Sequence, residues 1–458
     1  MKMVNITFND NKISVEKGTT ILEAAKKIGV HIPTLCHLNL ENFGIVNQVS
    51  SCRVCVVEVE GRPSLVPSCA ETVYEGMVIH SDSLRSMTGR RMAVELLLSN
   101  HPKDCLSCPK NLDCDLQALA SELGIREIHW EGERLNYEKD TSSFSIVKDP
   151  NKCVMCRRCE TMCNTVQTCN VLSAVNRGFE SFVGPAFNMD MADSACTFCG
   201  QCVAVCPTAA LTEVDNTSQV WKALANPKKH VVVQLAPAVR VAIGEMFGMD
   251  TGTITTGKIA TALRRMGFDG IFDTDFGADL TIMEEASELI HRVQHGGTLP
   301  ILTSCCPAWV KFFEHQFPGM LDIPSTCKSP QIMFGTIAKT YYAEKKGLNP
   351  HDIVVVSIMP CTAKKFEAKR PEFESDGVRD VDNVLTTQEL GRMIEETGLH
   401  FRELGPESFH LPFGFKTGAG VIFGNSGGVS EAALRYVSEK LTGQKLDTYE
   451  FASVRGEE

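Results

Sequence analysis

Two stretches, "CVMCRRCETMC" (153–163) and "CTFCGQCVAVCP" (196–207), repeat the spacing C-x2-C-x2-C-x3-C, the second closed by Pro207. Eight thiols in one repeated spacing point to something that the sulfurs bind. The doubled run is the spacing of two adjacent [4Fe–4S] clusters, the fourth cysteine of each run ligating the other cluster. The pattern predicts one cluster on Cys153, Cys156, Cys159 and Cys206, and a second on Cys196, Cys199, Cys202 and Cys163.

Twenty cysteines in 458 residues need a reducing environment if they are to serve as ligands. A disulfide scaffold calls for export and usually a short chain, and "MKMVNITFND" has no apolar signal core. A cytoplasmic location is expected. A hydrophobic content of 43% and a charged content of 22% describe a soluble globular protein, and the length suggests roughly three domains. Apolar stretches end well short of the ~20 residues of a membrane span. The net charge of -11 is spread along the chain with no basic block, which argues against nucleic acid and membrane partners.

Two more cysteine groups precede the doubled run. "MVNITFNDNKISVEK" reads as two alternating strands around a turn, and "TTILEAAKKIGV" as a helix with a Thr20/Glu23 capping box and a stop at Gly29. Hairpin then helix, followed by Cys36, Cys52, Cys55 and Cys69, resembles the ubiquitin-like fold of [2Fe–2S] ferredoxins. The C-x15-C-x2-C-x13-C spacing is not plant-type, but "SCRVCVVEVEG" puts the close pair just before a strand. "HPKDCLSCPKNLDC" then offers His101, Cys105, Cys108 and Cys114. With no fourth cysteine, His101 is the natural fourth ligand of a [4Fe–4S] cluster whose neutral imidazole would alter its potential. A Cys₃His zinc site has the same spacing, and a four-Cys zinc site competes at the first group.

From about residue 230 strands and helices alternate. "HVVVQLAPAV", "GIFDTDFG", "TLPILTS" and "DIVVVSIMP" read as buried strands; "TGKIATALRRMG", "ADLTIMEEASELIHRVQ" and "EAALRYVSEKL" read as helices. This predicts α/β architecture with sites at the carboxyl ends of parallel strands. Two such ends carry cysteines, "TSCCPAW" and "MPCTAKKFE". "GAGVIFGNSGG" lacks G-x-G-x-x-G and only loosely resembles a nucleotide loop.

"TSCCPAW" and "MPCTAKKFE", behind four cluster motifs in this order, resemble a [FeFe]-hydrogenase with the full set of accessory clusters, and the resemblance runs along the whole chain. It implies the reaction 2H⁺ + 2e⁻ ⇌ H₂ at an H-cluster, a [4Fe–4S] cubane joined to a di-iron unit with CO, cyanide and azadithiolate. It also implies Cys306 and Cys361 as cubane ligands and Cys305 as proton donor. The adjacent thiols of Cys305 and Cys306 would divide these roles, since neighbouring side chains diverge. A proton relay would continue through Glu285, Ser325, Glu288 and Arg292 towards solvent; Glu285, Glu288 and Arg292 share one helical face. Lys364 would donate to an iron-bound cyanide. Ala236, Pro237, Gln331, Met359 and Phe423 would line the di-iron pocket, while Cys169 and Cys327 match no ligand position and read as structural thiols.

The implied fold is multidomain α+β and α/β: a ubiquitin-like [2Fe–2S] domain (1–80), a small His/Cys cluster domain (81–124), a bacterial two-[4Fe–4S] ferredoxin domain (125–212) and an α/β catalytic H-cluster domain (213–458). The implied partners are ferredoxin or another low-potential carrier, or an NADH-linked subunit, together with maturation enzymes. In the family a further cysteine motif completes the cubane, and no cysteine follows Cys361 here. The expectation is an inactive fragment rather than a split gene product or degenerate paralogue. Two other readings are an electron-transfer subunit of a larger oxidoreductase and a non-enzymatic relative used in iron–sulfur assembly or sensing.

Overall fold

The computed structural model describes residues 2–40, 44–45, 47–425 and 427–444. The tail "YEFASVRGEE" lies outside them. The chain divides into two compact units, residues 1–196 with 200–213, and residues 197–199 with 214–458.

The first unit opens with strands β1 (Met3–Phe8) and β2 (Asn11–Glu16), an antiparallel hairpin whose turn residues Asn9 and Asp10 both take positive φ. Asn and Asp tolerate that region better than other side chains. Helix α1 (Ile21–Lys27) begins at the Thr20/Glu23 capping box that the sequence predicts, and Gly29 follows its end at φ +71. Strands β3 (Val56–Val59), β4 (Val66–Pro67) and β5 (Val78–His80) complete a sheet of order β2-β1-β5-β3-β4. Ile21, Leu22, Ala24 and Ala25 of α1 pack with Val4, Ile6, Phe8, Val57 and Ile79 in one core. A helix at Leu84–Asn100 and another at Asp115–Glu122 flank the second cysteine group. The doubled cysteine run is closed by a short antiparallel ladder, Ile146–Lys148 against Leu211–Glu213.

The two runs share a backbone signature as well as a spacing. Met155 and Arg157 lie in the left-handed region at φ +51 and +60, and Phe198 and Gly200 repeat it at +58 and +78. Three of these four are not glycine. Backbone strain of this kind persists only where the surroundings over-determine it. Here it curls the chain between consecutive cysteines.

The second unit is built on a four-stranded parallel sheet. Strands β6 (His230–Leu235), β7 (Gly270–Asp273), β8 (Ile353–Met359) and β9 (Asn383–Thr386) stand in the order β7-β6-β8-β9. The central strands are buried along almost their whole length, as expected where helices cover both faces of a parallel sheet. Helix α2 (Thr274–His295) follows β7 directly, capped by Asp273. Helices α3 (Pro307–Gln316) and α4 (Pro330–Ile337) both carry proline in the first turn, where its missing N–H costs nothing. Gly277 lets α2 and α4 meet backbone to backbone, since a Cβ there would stand 2.3 Å from the Pro330 carbonyl oxygen.

One expected strand is absent. "TLPILTS" forms a single bridge, Leu302 to Pro324, and its first residues are exposed. Pro300 interrupts the apolar run and offers no ladder donor. No described helix is long and apolar enough to cross a membrane.

Candidate functional site

In the first cysteine group the four thiols are buried, Cys36 and Cys55 almost completely. They interact: hydrogen bonding with Cys52 and Cys69 pulls the Cys36 thiol down, and the same contacts drive Cys52 and Cys69 up. Asn47 braces the loop, donating to the Cys36 carbonyl at 2.7 Å and accepting the Leu38 amide at 3.1 Å. Four buried thiols in mutual contact suit a cofactor that supplies the positive charge for them to ionise together.

In the second group, Cys105 and Cys108 share one 3-10 turn, and Cys114 caps Asp115–Glu122. Burial first, and then the Lys152 ammonium, push His101 down to about 4. His101 is thus neutral at physiological pH, the form that can ligate.

Cys206, from the second long run, reaches the first. One small cavity is lined by Cys153, Cys156, Cys159 and Cys206, with Pro207 and Thr208 beside them. Burial, with Cys206 and Cys153 adding their repulsion, pushes Cys156 up to about 12. Four cysteines lining one cavity match the ligand count of a [4Fe–4S] cluster. Of the remaining four, Cys196 and Cys202 are buried and Cys163 and Cys199 half-buried.

In the second unit, Cys305 and Cys306 sit where the chain enters α3. Cys306 is the N-cap residue and exposed, whereas Cys305 is partly buried. Cys361 follows β8, and burial first, with the nearby Cys306 thiol adding, raises its pKa. The Cys305 thiol is also raised by burial, against the opposing influence of the Lys364 ammonium and a hydrogen bond with Thr303.

Thr303 opens "TSCCPAW" without a role that the sequence assigns it, yet its hydroxyl donates to Glu285 Oε2 at 3.1 Å and meets the Cys305 thiol. Glu285 is 6% exposed, and Oε1 finds no hydrogen-bond partner among the described residues. Burial raises its pKa. Ser325 donates to Glu288 Oε2 at 2.8 Å, and Arg292 closes on Glu288 Oε1 at 2.6 Å. Glu285, Glu288 and Arg292 do lie along α2. Arg292, expected towards solvent, is instead 9% exposed, its guanidinium donating to the carbonyls of Thr298, Asp322, Ile323 and Pro324. The relay residues therefore end at a buried arginine. Cys327 joins the group, its thiol 3.5 Å from Glu288 Oε2 and pushed up to about 12 by burial.

Lys364 donates to the Cys305 carbonyl at 2.9 Å and pairs with Glu367 at 2.8 Å. An ammonium has three donors, so one is left for a further acceptor. Gln331 is buried, donating to Glu367 Oε2 at 3.0 Å and to the Lys364 carbonyl at 3.2 Å, while its own Oε1 has no partner among the described residues. Glu367, the last residue of "MPCTAKKFE", thus fixes both Lys364 and Gln331. Ala236 and Pro237 follow β6 and Met359 ends β8, at the carboxyl edge of the sheet. Phe423 follows a short helix, Gly418–Ile422, and its neighbour Gly424 packs on Pro237.

Residues 229–458 match the family described as iron-only hydrogenase large subunit, C-terminal domain. Residues 1–83 match a 2Fe-2S iron–sulfur cluster binding domain, 90–129 the NADH-ubiquinone oxidoreductase-G iron–sulfur binding region, and 193–212 a 4Fe-4S binding domain. The chain is 58% identical over 462 residues to the NADP-reducing hydrogenase subunit HndD of Solidesulfovibrio fructosivorans, covering all of this chain and 79% of that protein. It is 40% identical to iron hydrogenase 1 of Clostridium pasteurianum, covering 99% of this chain and 78% of that one. The periplasmic [Fe] hydrogenase large subunit of Nitratidesulfovibrio vulgaris is 47% identical over 240 residues, 52% of this chain and 57% of its own. With its iron–sulfur regions and catalytic region matched in sequence order, the chain belongs to the iron-only, or [FeFe], hydrogenase family of oxidoreductases.

Proposed function

We propose that this chain provides the catalytic and electron-carrying parts of a reversible hydrogenase, 2H⁺ + 2e⁻ ⇌ H₂. The observation that carries the reading is the file Cys305, Thr303, Glu285, Ser325, Glu288, standing beside the ligand-type thiols Cys306 and Cys361. When bound, the H-cluster supplies the redox-active metal at which protons and electrons meet. Cys306 and Cys361 would hold its cubane, and Lys364 and Gln331 would offer donors to its anionic ligands. Ala236, Pro237, Met359 and Phe423 would keep water from it. Cys305 would present the proton, and Glu285 would return it. The raised pKa values of both groups support carriage of a proton rather than a fixed charge.

Residues 1–80, 81–124 and 125–212 would carry one [2Fe–2S] and three [4Fe–4S] clusters to the catalytic domain at 213–458. The electron partner is a NADP- or NADH-linked subunit, or a ferredoxin-like carrier. The name of the HndD relative, a NADP-reducing hydrogenase subunit, and the match of residues 90–129 to a region of an NADH-linked oxidoreductase support the first.

The test is co-expression with the family's maturation enzymes in two arms, the chain alone and the chain joined to the remaining segment of HndD. Infrared bands of CO and cyanide, and hydrogen evolution from reduced viologen, are expected in the joined arm. Neither bands nor hydrogen in that arm would overturn the reading and leave an electron-transfer subunit.

A further inference from the structure

Lys152 is a buried cation that neither the proton file nor any ligand set uses. Lys152 is 5% exposed, although lysine is almost never buried without a partner. Its ammonium makes two contacts, Asp104 Oδ2 at 2.9 Å and Cys108 Sγ at 3.3 Å. Its backbone serves a different site. Lys152 precedes Cys153, and its carbonyl accepts the Thr208 hydroxyl at 2.7 Å, which in turn stands 3.9 Å from Cys206 Sγ. A second link runs alongside: the Pro207 carbonyl, next to Cys206, accepts the amide of Asp115, the residue after Cys114, at 3.0 Å. Arg158 holds Asp115 at 2.8 Å. The His101/Cys105/Cys108/Cys114 set and the Cys153/Cys156/Cys159/Cys206 set are thereby tied at Lys152 and at Pro207.

We propose that Lys152 sets the reduction potential of the His101-ligated cluster, its ammonium stabilising the added electron through the hydrogen bond to the Cys108 sulfur, and ties that cluster to the next along the electron path. The proposal rests on the reading that both sets hold iron–sulfur clusters. One-electron reduction adds one negative charge to the cluster; Lys152 keeps its proton throughout. Hydrogen bonds and positive charge at a ligating sulfur strengthen on reduction, so the bond raises the potential. Asp104 opposes it, because it shares the ammonium and adds a negative charge nearby.

The test is an EPR-monitored redox titration of the full chain with its clusters reconstituted. The signal lost in His101→Ala identifies the cluster. Lys152→Met is expected to lower its midpoint by at least a tenfold change in the one-electron equilibrium, about 59 mV, leaving the [2Fe–2S] midpoint in place. Lys152→Arg should recover most of the shift. Should Lys152→Met fail to load iron at this site, Asp104→Asn decides: a neutral amide oxygen competes more weakly than a carboxylate for the ammonium, and the midpoint should rise. An unchanged midpoint in the loaded Lys152→Met protein, or in Asp104→Asn, overturns the proposal. A zinc-loaded site in the unsubstituted chain would instead overturn the cluster reading itself.

Discussion

Ser325 donates its hydroxyl to Glu288 Oε2 at 2.8 Å, while Glu285, one turn earlier on the same helix, keeps an oxygen unpaired among the described residues. The two carboxylates consequently part in acidity. Glu288 is partly buried, but Ser325, Arg292 and the Thr326 amide outweigh that burial and hold it below the usual carboxylate range. At Glu285 burial wins over Thr303, Ser325 and the Ser304 amide, and the pKa rises.

Stability should record this split. Glu288, lowered in the folded state, contributes stability that is present above its unfolded pKa and is lost as pH falls through the folded value. Glu285, raised, does the reverse: its contribution is full below the unfolded pKa and is lost as pH rises through the folded value. Glu288→Gln should therefore cost most near neutrality and less on acidification, whereas Glu285→Gln should be neutral or stabilising above the carboxylate range. Urea midpoints measured from about pH 4 to pH 7 would show the two differences diverging. Parallel curves would contradict the assignment.

Thr303→Val should slow hydrogen turnover by about tenfold, the worth of one well-placed hydrogen bond of ~1.4 kcal/mol, because it cuts the hydroxyl that meets both Cys305 and Glu285. Thr303→Ser should restore the rate. Folding stability should change by no more than ~1 kcal/mol. Equal loss in both variants would show that the methyl group, not the hydroxyl, matters.

What is legible in the sequence is local. The Thr20/Glu23 capping box, the Gly29 stop and the cysteine runs act over a few residues, and each leaves a spacing to read. Lys152 leaves none, and Thr303 and Glu367 stand in "TSCCPAW" and "MPCTAKKFE" with roles the spacing does not show, since each has a partner from elsewhere in the chain: Cys108, Glu285 and Gln331. The burial of Arg292 is hidden for the same reason, its carbonyl acceptors at 322–324 coming from a separate loop. "TLPILTS" misleads because its apolar content masks the weight of Pro300.

Cys305→Ala and Cys306→Ala should fail differently in the matured enzyme. Cys305 meets Thr303 and, through its carbonyl, Lys364; Cys306 caps α3 and lies near Cys361. Removing the Cys305 thiol should leave the CO and cyanide bands while turnover falls about 10²–10⁴-fold, the usual worth of a positioned acid. Loss of Cys306 should instead reduce the iron bound in the second unit. Indistinguishable spectra and rates would refute the division of labour between the two thiols.

Gly277→Ala should damage the site without touching any candidate ligand. A methyl group at 277 would stand 2.3 Å from the Pro330 carbonyl oxygen, a backbone atom that cannot swing aside. Helix α2 carries Glu285, Glu288 and Arg292, and α4 carries Gln331, so parting the two helices displaces the proton file from the Lys364 and Glu367 side of the pocket. Overpacking of this kind costs about 1–3 kcal/mol. Gly319→Ala is the control, since nothing lies within 4 Å of a Cβ there. Thermal unfolding of the second unit should shift down for Gly277→Ala only, with turnover falling while the iron content of the first unit stays constant. Unaltered stability and turnover in Gly277→Ala would mean that the two helices can separate freely, and that their close approach does not set the geometry of the file.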